Sequence, residues 1–219
     1  MKVVVFASGT GTNARNIFAL AQKYPDLIEV CALISNKRDA GVLSIAKEFG
    51  IESYVVPLER KESKVATRIH HEERICEILD GLQFDYICLA GYMRIFTKDF
   101  VQKFPHPEWP VSKIINIHPA LLPSFKGHSG YEDAFAYGVK ISGVTTHFVN
   151  EEVDGGSIIH QRSFERYYDD TIQTFKKRGL EEEYVCYRQT LLALATENIH
   201  ISSTEPFRLH VSPSEEKES

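Results

Sequence analysis

Short apolar runs alternate with longer amphipathic segments along the first half of the chain. The apolar runs are rich in β-branched residues and almost continuous, which predicts strands that are buried on both faces. They cover residues 3–7, 28–35, 53–56 and 84–90. Helical patterns follow the first three runs, over residues 16–20, 40–49 and 65–79. Such alternation predicts an α/β fold, with a Rossmann-like, mostly parallel sheet, right-handed crossovers and helices on both faces.

The second half of the chain has a different pattern. A short helical segment, 98–104, and a proline-rich connection lead to another apolar run at 114–118, which predicts a further buried strand. Two β-rich runs, 144–149 and 157–164, are joined by a glycine-containing segment, 150–156, of the length that hairpin loops have. The sheet is therefore expected to be extended by antiparallel strands.

The C-terminal part of the chain begins with helical patterns at 170–177 and 181–197, which Gly179 separates. We expect residues 1–200 to form a single domain. Residues 201–219 are expected to form a polar C-terminal tail that is partly disordered, because the end of the chain carries too few apolar residues to pack.

A buried strand ends in an amide, an imidazole and a proline. Asn116 and His118 are separated by one residue, so their side chains leave an extended backbone on the same face. Pro119 restricts the preceding residue to extended geometry and ends the strand. The imidazole is thereby placed at a strand's carboxyl end, where open α/β sheets bind ligands. The alternative is a turn after a core strand with a hydrogen-bonded histidine.

A glycine-rich loop follows the first predicted strand. Residues 9–14, Gly-Thr-Gly-Thr-Asn-Ala, let backbone N–H groups approach an anion at the start of a helix, which predicts a phosphate site. The same residues fit G-x-G-x-x-A, so a nicotinamide dinucleotide is an alternative. Residues 35–38, Ser-Asn-Lys-Arg, would suit a 2′-phosphate better than the acidic residue of an NAD site. A plain helix-capping turn is the third interpretation.

Asp154 lies in the glycine-containing loop between the two β-rich runs. A carboxylate there can reach another site group, and beside His118 it would favour the imidazolium. Asn116, His118 and Asp154 would then supply a hydrogen-bond donor, an acid and the group that orients it, with the pKa of His118 raised. An ordinary turn aspartate is the alternative.

Residues 70–73 and His147 are weaker candidates for a site. Residues 70–73, His-His-Glu-Glu, look like metal ligands, but neighbours on a helix diverge around its axis, so we expect a solvated face. His147 lies in the middle of a predicted strand and is interpreted as a core histidine or one that supports a site residue.

Composition limits the possible partners. The chain has 219 residues, of which 43% are hydrophobic, and a formal charge of −5, so a polyanionic nucleic acid is not an expected partner. Its four cysteines form no C-x-x-C pair, so neither a disulfide framework nor a zinc site is expected. The start has no signal-peptide layout and no apolar run is long enough to span a bilayer, which predicts a cytoplasmic protein without a membrane partner.

Four motifs in the same order resemble the glycinamide ribonucleotide formyltransferases, the folate-dependent enzymes of purine synthesis. The resemblance runs from the first residue to about residue 198. Its motifs are Ser-Gly-Thr-Gly-Thr-Asn at 8–13, Ala-Gly-Tyr-Met-Arg-Ile at 90–95, Asn-Ile-His-Pro at 116–119 and Asp-Gly-Gly at 154–156. They are similar to that family's phosphate loop, folate segment, catalytic strand and acidic loop, in that order.

The resemblance implies a role for each matching residue. The implied catalytic residues are Asn116, His118 and Asp154. The implied contacts to the ribonucleotide are Gly11, Thr12, Asn13 and Glu183. The implied contacts to folate are Arg68, Met93, Arg94, Ile95, Phe96 and Asn116. The reaction implied is transfer of the formyl group of 10-formyltetrahydrofolate to a primary amine through a tetrahedral intermediate, with no metal.

The sequence departs from the family's pattern near the implied substrate contacts. Tyr184 and Arg188 stand where the family often has histidine and proline, and residues 128–132 also differ. A related formyltransferase that acts on another amine is therefore an alternative, as are an NADP-linked oxidoreductase and a non-catalytic nucleotide-binding module. The partners implied are small molecules, with the protein a monomer or a homodimer.

Overall fold

A single seven-stranded sheet forms the centre of the computed structural model, which describes residues 1–204 and 207–211. The strands are β1 (Lys2–Phe6), β2 (Glu29–Ser35), β3 (Ser53–Val55), β4 (Tyr86–Leu89), β5 (Ile114–His118), β6 (Ile141–Phe148) and β7 (Ile158–Glu165). Their order across the sheet is β3-β2-β1-β4-β5-β6-β7. The first five strands pair in parallel, whereas β6 and β7 are antiparallel, as the alternation and the hairpin-type loop predicted.

Helices cover both faces of this sheet. They are α1 (Thr12–Lys23), α2 (Val42–Glu48), α3 (Lys64–Leu79), α4 (Lys98–Gln102), α5 (Gly130–Tyr137) and α6 (Ile172–Ala195). One apolar core contains Phe18 and Tyr187 and the other contains Phe6 and Phe100. Because strands β1, β4 and β5 are buried on both faces, their apolar runs are continuous rather than alternating. The predicted fold class is confirmed.

The strand order reverses between β1 and β4. From β1 the chain moves outward through β2 and β3, returns to β4 on the other side of β1, and then moves outward in the opposite direction. The loops after the two neighbouring strands therefore diverge and leave a crevice at the carboxyl edge, where ligands bind in open α/β sheets. The glycine loop follows β1 and residues 90–96 follow β4, so both candidate ligand segments lie at this crevice.

Two helical predictions need correction. Residues 170–177 and 181–197 do not form two helices, because α6 runs without interruption through Gly179. Tertiary packing overrides the low helix propensity of glycine, because a Cβ atom at residue 179 would lie only 2.4 Å from the Tyr131 ring. Helix α5 was not predicted, although Glu132 and Asp133 in its first turn and Gly138 after its last are ordinary helix boundary signals.

The chain after α6 forms a hairpin of β8 (Ile199–Thr204) and β9 (Phe207–Val211), and β9 packs against β7. The sequence analysis did not predict it, and the proposed boundary at residue 200 falls inside β8. The predicted disorder after residue 211 lies outside the described residues, and the division into domains stays a prediction. Within the described ranges, no helix combines the length and the apolar character needed to cross a bilayer.

Candidate active site

Strand β5 carries the amide and the imidazole to the carboxyl edge of the sheet. Asn116 is half-buried and His118 is buried, with only 3% of its surface exposed. The antiparallel register of β6 places His147 directly opposite Asn116. The Asn116 Nδ2 atom lies 3.3 Å from His147 Nε2, and His147 Nδ1 donates to the Phe148 carbonyl at 2.9 Å. His147 therefore lies within hydrogen-bond distance of Asn116, in the place of a residue that supports a site residue, as one of its two interpretations predicted.

The loop between β6 and β7 brings Asp154 onto both histidines. Its Oδ2 atom lies 3.4 Å from His118 Nδ1, and its Oδ1 atom lies 3.6 Å from His147 Nε2. The backbone N–H of Gly127 donates to Oδ2 at 2.8 Å. Asp154 itself has φ 50°, a left-handed conformation that aspartate and asparagine tolerate better than most residues. The predicted contact between Asp154 and His118 is present.

The predicted rise in the pKa of His118 is wrong. Burial lowers its pKa more than Asp154 and the Phe125 carbonyl raise it, and nearby His147 lowers it further. For Asp154, burial acts to raise the pKa, but His147, the Gly127 N–H and His118 together hold it below its ordinary value. Burial is thus the dominant influence on the pKa of His118, whereas the neighbouring donors together outweigh burial at Asp154.

Each nitrogen of His118 faces an acceptor. Its Nε2 atom donates to the Phe125 carbonyl at 2.8 Å, because a carbonyl only accepts, while Nδ1 faces Asp154. Phe125 has φ 52°, which is rare for a bulky residue and shows that the loop conformation is imposed by its surroundings. A substrate oxygen that approaches Nε2 must therefore compete with this carbonyl.

The segment after β4 forms one wall of a cavity of about 190 Å³ that also contains the catalytic candidates. Its lining includes Met93, Arg94, Ile95, Phe96, Asn116, His118 and Asp154. The Phe96 ring is fixed from behind by stacking on Tyr92 and Phe100, with centroids 5.6 and 4.3 Å away. Apolar walls with a few convergent polar groups are typical of sites for small-molecule ligands.

Arg68 is the exception among the predicted folate contacts. Among the described residues, the lining of this cavity does not include Arg68. Arg68 lies on α3 near Glu72, where its charge acts to lower the pKa of that carboxyl, although burial raises this pKa more strongly.

A larger cavity of about 550 Å³ lies at the opposite edge of the sheet, where Tyr86, His106 and Lys113 line it. The residues that carry the predicted chemistry line the smaller cavity.

The glycine loop leads directly into α1. Gly11 adopts φ 86° and precedes the first helical residue, so the N–H groups of Thr12, Asn13 and Ala14 have no acceptor within the helix. Such a group of N–H donors at the positive end of a helix is an anion site. Ser8 joins this loop to the folate segment, since its Oγ atom accepts from Met93 N at 3.0 Å and donates to Asn36 at 2.6 Å.

Glu183 lies beside the glycine loop but already has two partners. Asn13 Nδ2 donates to one of its oxygens and the Tyr131 hydroxyl donates to the other, each at 2.6 Å. The carboxylate is 8% exposed, and burial raises its pKa against the effect of these two hydrogen bonds. The structure thus places Glu183 beside Asn13, and the contact to the ribonucleotide that the resemblance implies for each of them stays a prediction.

The prediction for residues 70–73 is half wrong. Glu73 is exposed and His70 half-buried, but His71 and Glu72 are buried, with 3% and 5% of their surfaces exposed. Within residues 1–204 and 207–211, no three His, Cys, Asp or Glu side chains are arranged to hold a metal ion. The expectation that no metal is needed stays a prediction.

Three contacts that shape the site were not predicted from the sequence. His147 was noticed but not connected with Asn116, because the pairing depends on the register of β5 and β6. Ser8 and Tyr131 carried no signal of their own, since their partners Met93 and Glu183 are distant in sequence.

Comparison with known proteins identifies the family of this chain. The sequence model described as Formyl transferase matches residues 1–191. The phosphoribosylglycinamide formyltransferase of Haemophilus influenzae is 37% identical over 85% of this chain, and the match covers 83% of that relative. The chain belongs to the formyl transferase family. The trifunctional purine biosynthetic protein adenosine-3 of Gallus gallus is 34% identical over 92% of this chain, which spans only 19% of that relative's length.

Solved structures resemble this formyl transferase over nearly its whole length. The crystal structure of phosphoribosylglycinamide formyltransferase from Anaplasma phagocytophilum has a TM-score of 0.83 and 34% identity, covering 99% of this chain and 96% of that one. A formyltetrahydrofolate deformylase from Pseudomonas syringae has a TM-score of 0.81 and 26% identity, covering 96% and 65%. The family resemblance in the sequence is confirmed, whereas the roles of individual site residues stay predictions.

Proposed function

We propose that this chain transfers the formyl group of 10-formyltetrahydrofolate to the primary amine of glycinamide ribonucleotide. One observation carries the proposal: Asn116, His118 and Asp154 line the same cavity as the folate segment, at the edge of the sheet where the glycine loop begins α1. The phosphate would bind the free N–H groups at the start of α1, and the folate would lie against residues 93–96. The names of the relatives support this pair of substrates.

The chemistry needs donors where negative charge develops. The amine nitrogen attacks the formyl carbon, a C–N bond forms and the formyl oxygen becomes an oxyanion. The Asn116 amide and an N–H of His118 are the donors at hand, each contributing roughly 3 to 4 kcal/mol by comparison with oxyanion holes. The amine proton then passes to the folate nitrogen as its bond to the formyl carbon breaks, which leaves a formamide and tetrahydrofolate.

An assay of formyl transfer tests the proposal. The purified chain is mixed with 10-formyltetrahydrofolate and glycinamide ribonucleotide, and the conversion of the folate is followed by absorbance. We expect turnover that requires the ribonucleotide. Release of formate at the same rate without an amine would favour the deformylase reaction of the Pseudomonas syringae neighbour, and turnover with other amines would favour another acceptor. No folate conversion under either condition would contradict the proposal.

Substitution of Gly11 separates the two substrate sites. A Cβ atom there would lie 2.7 Å from the Val42 side chain, and φ 86° disfavours any side chain. Gly11→Val should therefore weaken ribonucleotide binding severely and leave binding of a folate analogue nearly intact. Retained folate binding shows that the variant is folded, while an equal loss of both ligands would contradict the assignment of the loop.

Broader expectations on partners, oligomeric state and location accompany the proposed function. The substrates are small molecules, and neither a nucleic acid nor a membrane is expected as a partner. The choice between monomer and homodimer, and a cytoplasmic location, stay predictions. Size-exclusion chromatography with light scattering would distinguish the monomer from the homodimer.

A further inference from the structure

The hydroxyl of Ser8 lies where the loops after three neighbouring strands meet. Ser8 follows β1, Asn36 follows β2, and Met93 lies in the folate segment after β4. The Ser8 Oγ atom donates to Asn36 Oδ1 at 2.6 Å and accepts from the Met93 N–H at 3.0 Å. Only 1% of the surface of Ser8 is exposed, so water cannot readily replace either partner. The hydroxyl therefore joins the start of the glycine loop to the loops on both of its sides.

The same hydroxyl continues the hydrogen-bond ladder between β1 and β4 beyond the end of both strands. The Ala90 N–H donates to the Phe6 carbonyl at 2.8 Å. The Ser8 N–H then donates to the Gly91 carbonyl at 3.1 Å. In a regular parallel ladder the next donor, the Met93 N–H, would bond to the Ser8 carbonyl. It bonds to the Ser8 side chain instead, so the main chain of Ser8 is free to turn into the glycine loop.

The bond from Met93 fixes a part of the cavity wall that packs little against the core. The chain turns sharply after β4, where Gly91 has φ 76°. The Met93 side chain lines the cavity and is 62% exposed, so apolar contacts hold it only weakly. Among the described residues, Ser8 Oγ is the one acceptor for the Met93 N–H. Without this acceptor the N–H has to bond to water, and the backbone at residue 93 would have to move to reach it.

We propose that Ser8 is a positioning residue for folate binding, because its hydroxyl holds the Met93 backbone in the conformation that forms the cavity wall. Asn36 takes part through the hydroxyl proton: while that proton points at the Asn36 oxygen, a lone pair of Oγ faces the Met93 N–H. A wall that is ordered beforehand raises affinity, since the ligand does not have to order it on binding. The inference rests on the proposed function, and it assigns the side chain of a residue in the phosphate-loop motif to the folate side of the site.

Removal of the hydroxyl tests the proposal. Ser8→Ala should raise the Kd for 5-formyltetrahydrofolate, a stable isomer of the formyl donor, about fivefold to tenfold, which is the value of one net hydrogen bond. The KM for 10-formyltetrahydrofolate should rise by the same factor, while kcat and the KM for glycinamide ribonucleotide stay within about twofold of wild type. Isothermal titration calorimetry and steady-state kinetics measure these quantities. A folded Ser8→Ala variant with wild-type Kd for 5-formyltetrahydrofolate would overturn the proposal.

A control variant separates positioning from a general loss of stability. Thr190→Val removes another buried hydroxyl, which lies 2.6 Å from Thr146 Oγ1 between α6 and β6. Both this variant and Ser8→Ala should have a lower melting temperature, because each loses a buried hydrogen bond. Only Ser8→Ala should bind folate more weakly. An equal loss of folate affinity in the two variants would mean that the Ser8 hydroxyl acts through stability alone, and it would overturn the proposal.

Hydrogen exchange at one amide separates failure of this inference from failure of the proposed function. The Met93 amide should exchange slowly in the unliganded wild-type chain and faster in Ser8→Ala, which NMR can follow without folate. Slow exchange in a wild-type chain that does not bind 5-formyltetrahydrofolate would remove the proposed function, and this inference with it, although the contact is present. Equally fast exchange in both proteins would overturn the inference alone.

A second variant keeps the inference testable should Ser8→Ala not fold. Asn36→Ala removes the acceptor of the hydroxyl proton, so the hydroxyl can rotate away from the Met93 N–H. We expect faster exchange of the Met93 amide and weaker binding of 5-formyltetrahydrofolate, both changes being smaller than those in Ser8→Ala. Wild-type exchange and wild-type affinity in a folded Asn36→Ala variant would overturn the proposal.

Discussion

Two pairs of an acid and a histidine lie on either side of the folate segment, and they are built in opposite ways. His71 and Glu72 are neighbours in sequence on α3, yet each bonds to a different residue. The Tyr92 hydroxyl lies 2.8 Å from His71 Nε2, and the Thr97 N–H donates to Glu72 at 2.7 Å. His118 is the last residue of β5 and Asp154 lies in the loop between β6 and β7, yet His118 Nδ1 and Asp154 Oδ2 are 3.4 Å apart.

The difference shows how position in the fold decides the chemistry of the same residue types. Burial lowers the pKa of His71 to about 4, and the nearby cations Arg94 and Arg74 lower it in the same direction. Burial also lowers the pKa of His118, but there Asp154 opposes the shift. A histidine that faces a carboxylate keeps access to its protonated form, whereas one that faces a phenol and arginines is a neutral structural group.

Removal of the site carboxylate should have the largest effect. Asp154→Asn suits the left-handed backbone at this position but removes the charge that favours protonated His118. We expect kcat to fall by roughly 10² to 10⁴, the range assigned to general acid–base groups, with much smaller changes in substrate binding. Steady-state kinetics measure both quantities. Asp80→Asn, at the exposed end of α3, serves as the control, and near wild-type turnover of Asp154→Asn would contradict the pairing.

The pH dependence of the same variant sharpens the comparison. Without Asp154 the pKa of His118 should be lower still, so the variant has less of the acid form at neutral pH. As the pH falls, His118 becomes protonated in both proteins, and the deficit in kcat should shrink. A pH–rate profile with an NMR titration of His118 measures the effect. A deficit that stays constant across the acidic limb would mean that Asp154 acts on orientation alone.

On the other side of the folate segment, His71 should affect stability and not turnover. Its pKa is lowered from 6.5 to about 4 in the folded chain, so the unfolded chain binds the proton first. The free energy of unfolding should therefore be fully maintained above about pH 6.5 and fall by up to about 3 kcal/mol towards pH 4. His71→Gln retains a polar partner for Tyr92 but does not titrate, and should flatten this decline. Urea unfolding at several pH values would measure it, and an equally steep decline in the variant would refute the assignment.

Glu72 should give the smallest effect. Its two oxygens accept from the backbone N–H and the hydroxyl of Thr97, which begins α4. Glu72→Gln leaves one acceptor, so we expect a loss of about 1 kcal/mol and a melting temperature lower by roughly 2 to 4 °C. Formyl transfer should stay within about twofold of wild type. A loss of turnover comparable with that of Asp154→Asn would remove the contrast between the two pairs.

Local patterns in the sequence were enough to determine the fold class and the edge of the sheet that carries the site. Continuous apolar strands alternating with helices imply a parallel sheet, and the residues that follow β1, β4 and β5 then meet at one edge. Asn116 and His118 could be placed together because two residues apart on a strand share a face. The order of four motifs supplied the family and, with it, Asp154.

Only the tertiary structure decided which distant groups touch and how burial changes them. The register of β5 and β6 brought His147 to Asn116, and the crossing of α5 over α6 brought Tyr131 to Glu183 through the gap at Gly179. The direction of the pKa shift of His118 also depended on the fold, because desolvation is a property of everything packed around the ring. Sequence spacing carries information about periodic local geometry, while contacts between elements depend on how those elements pack.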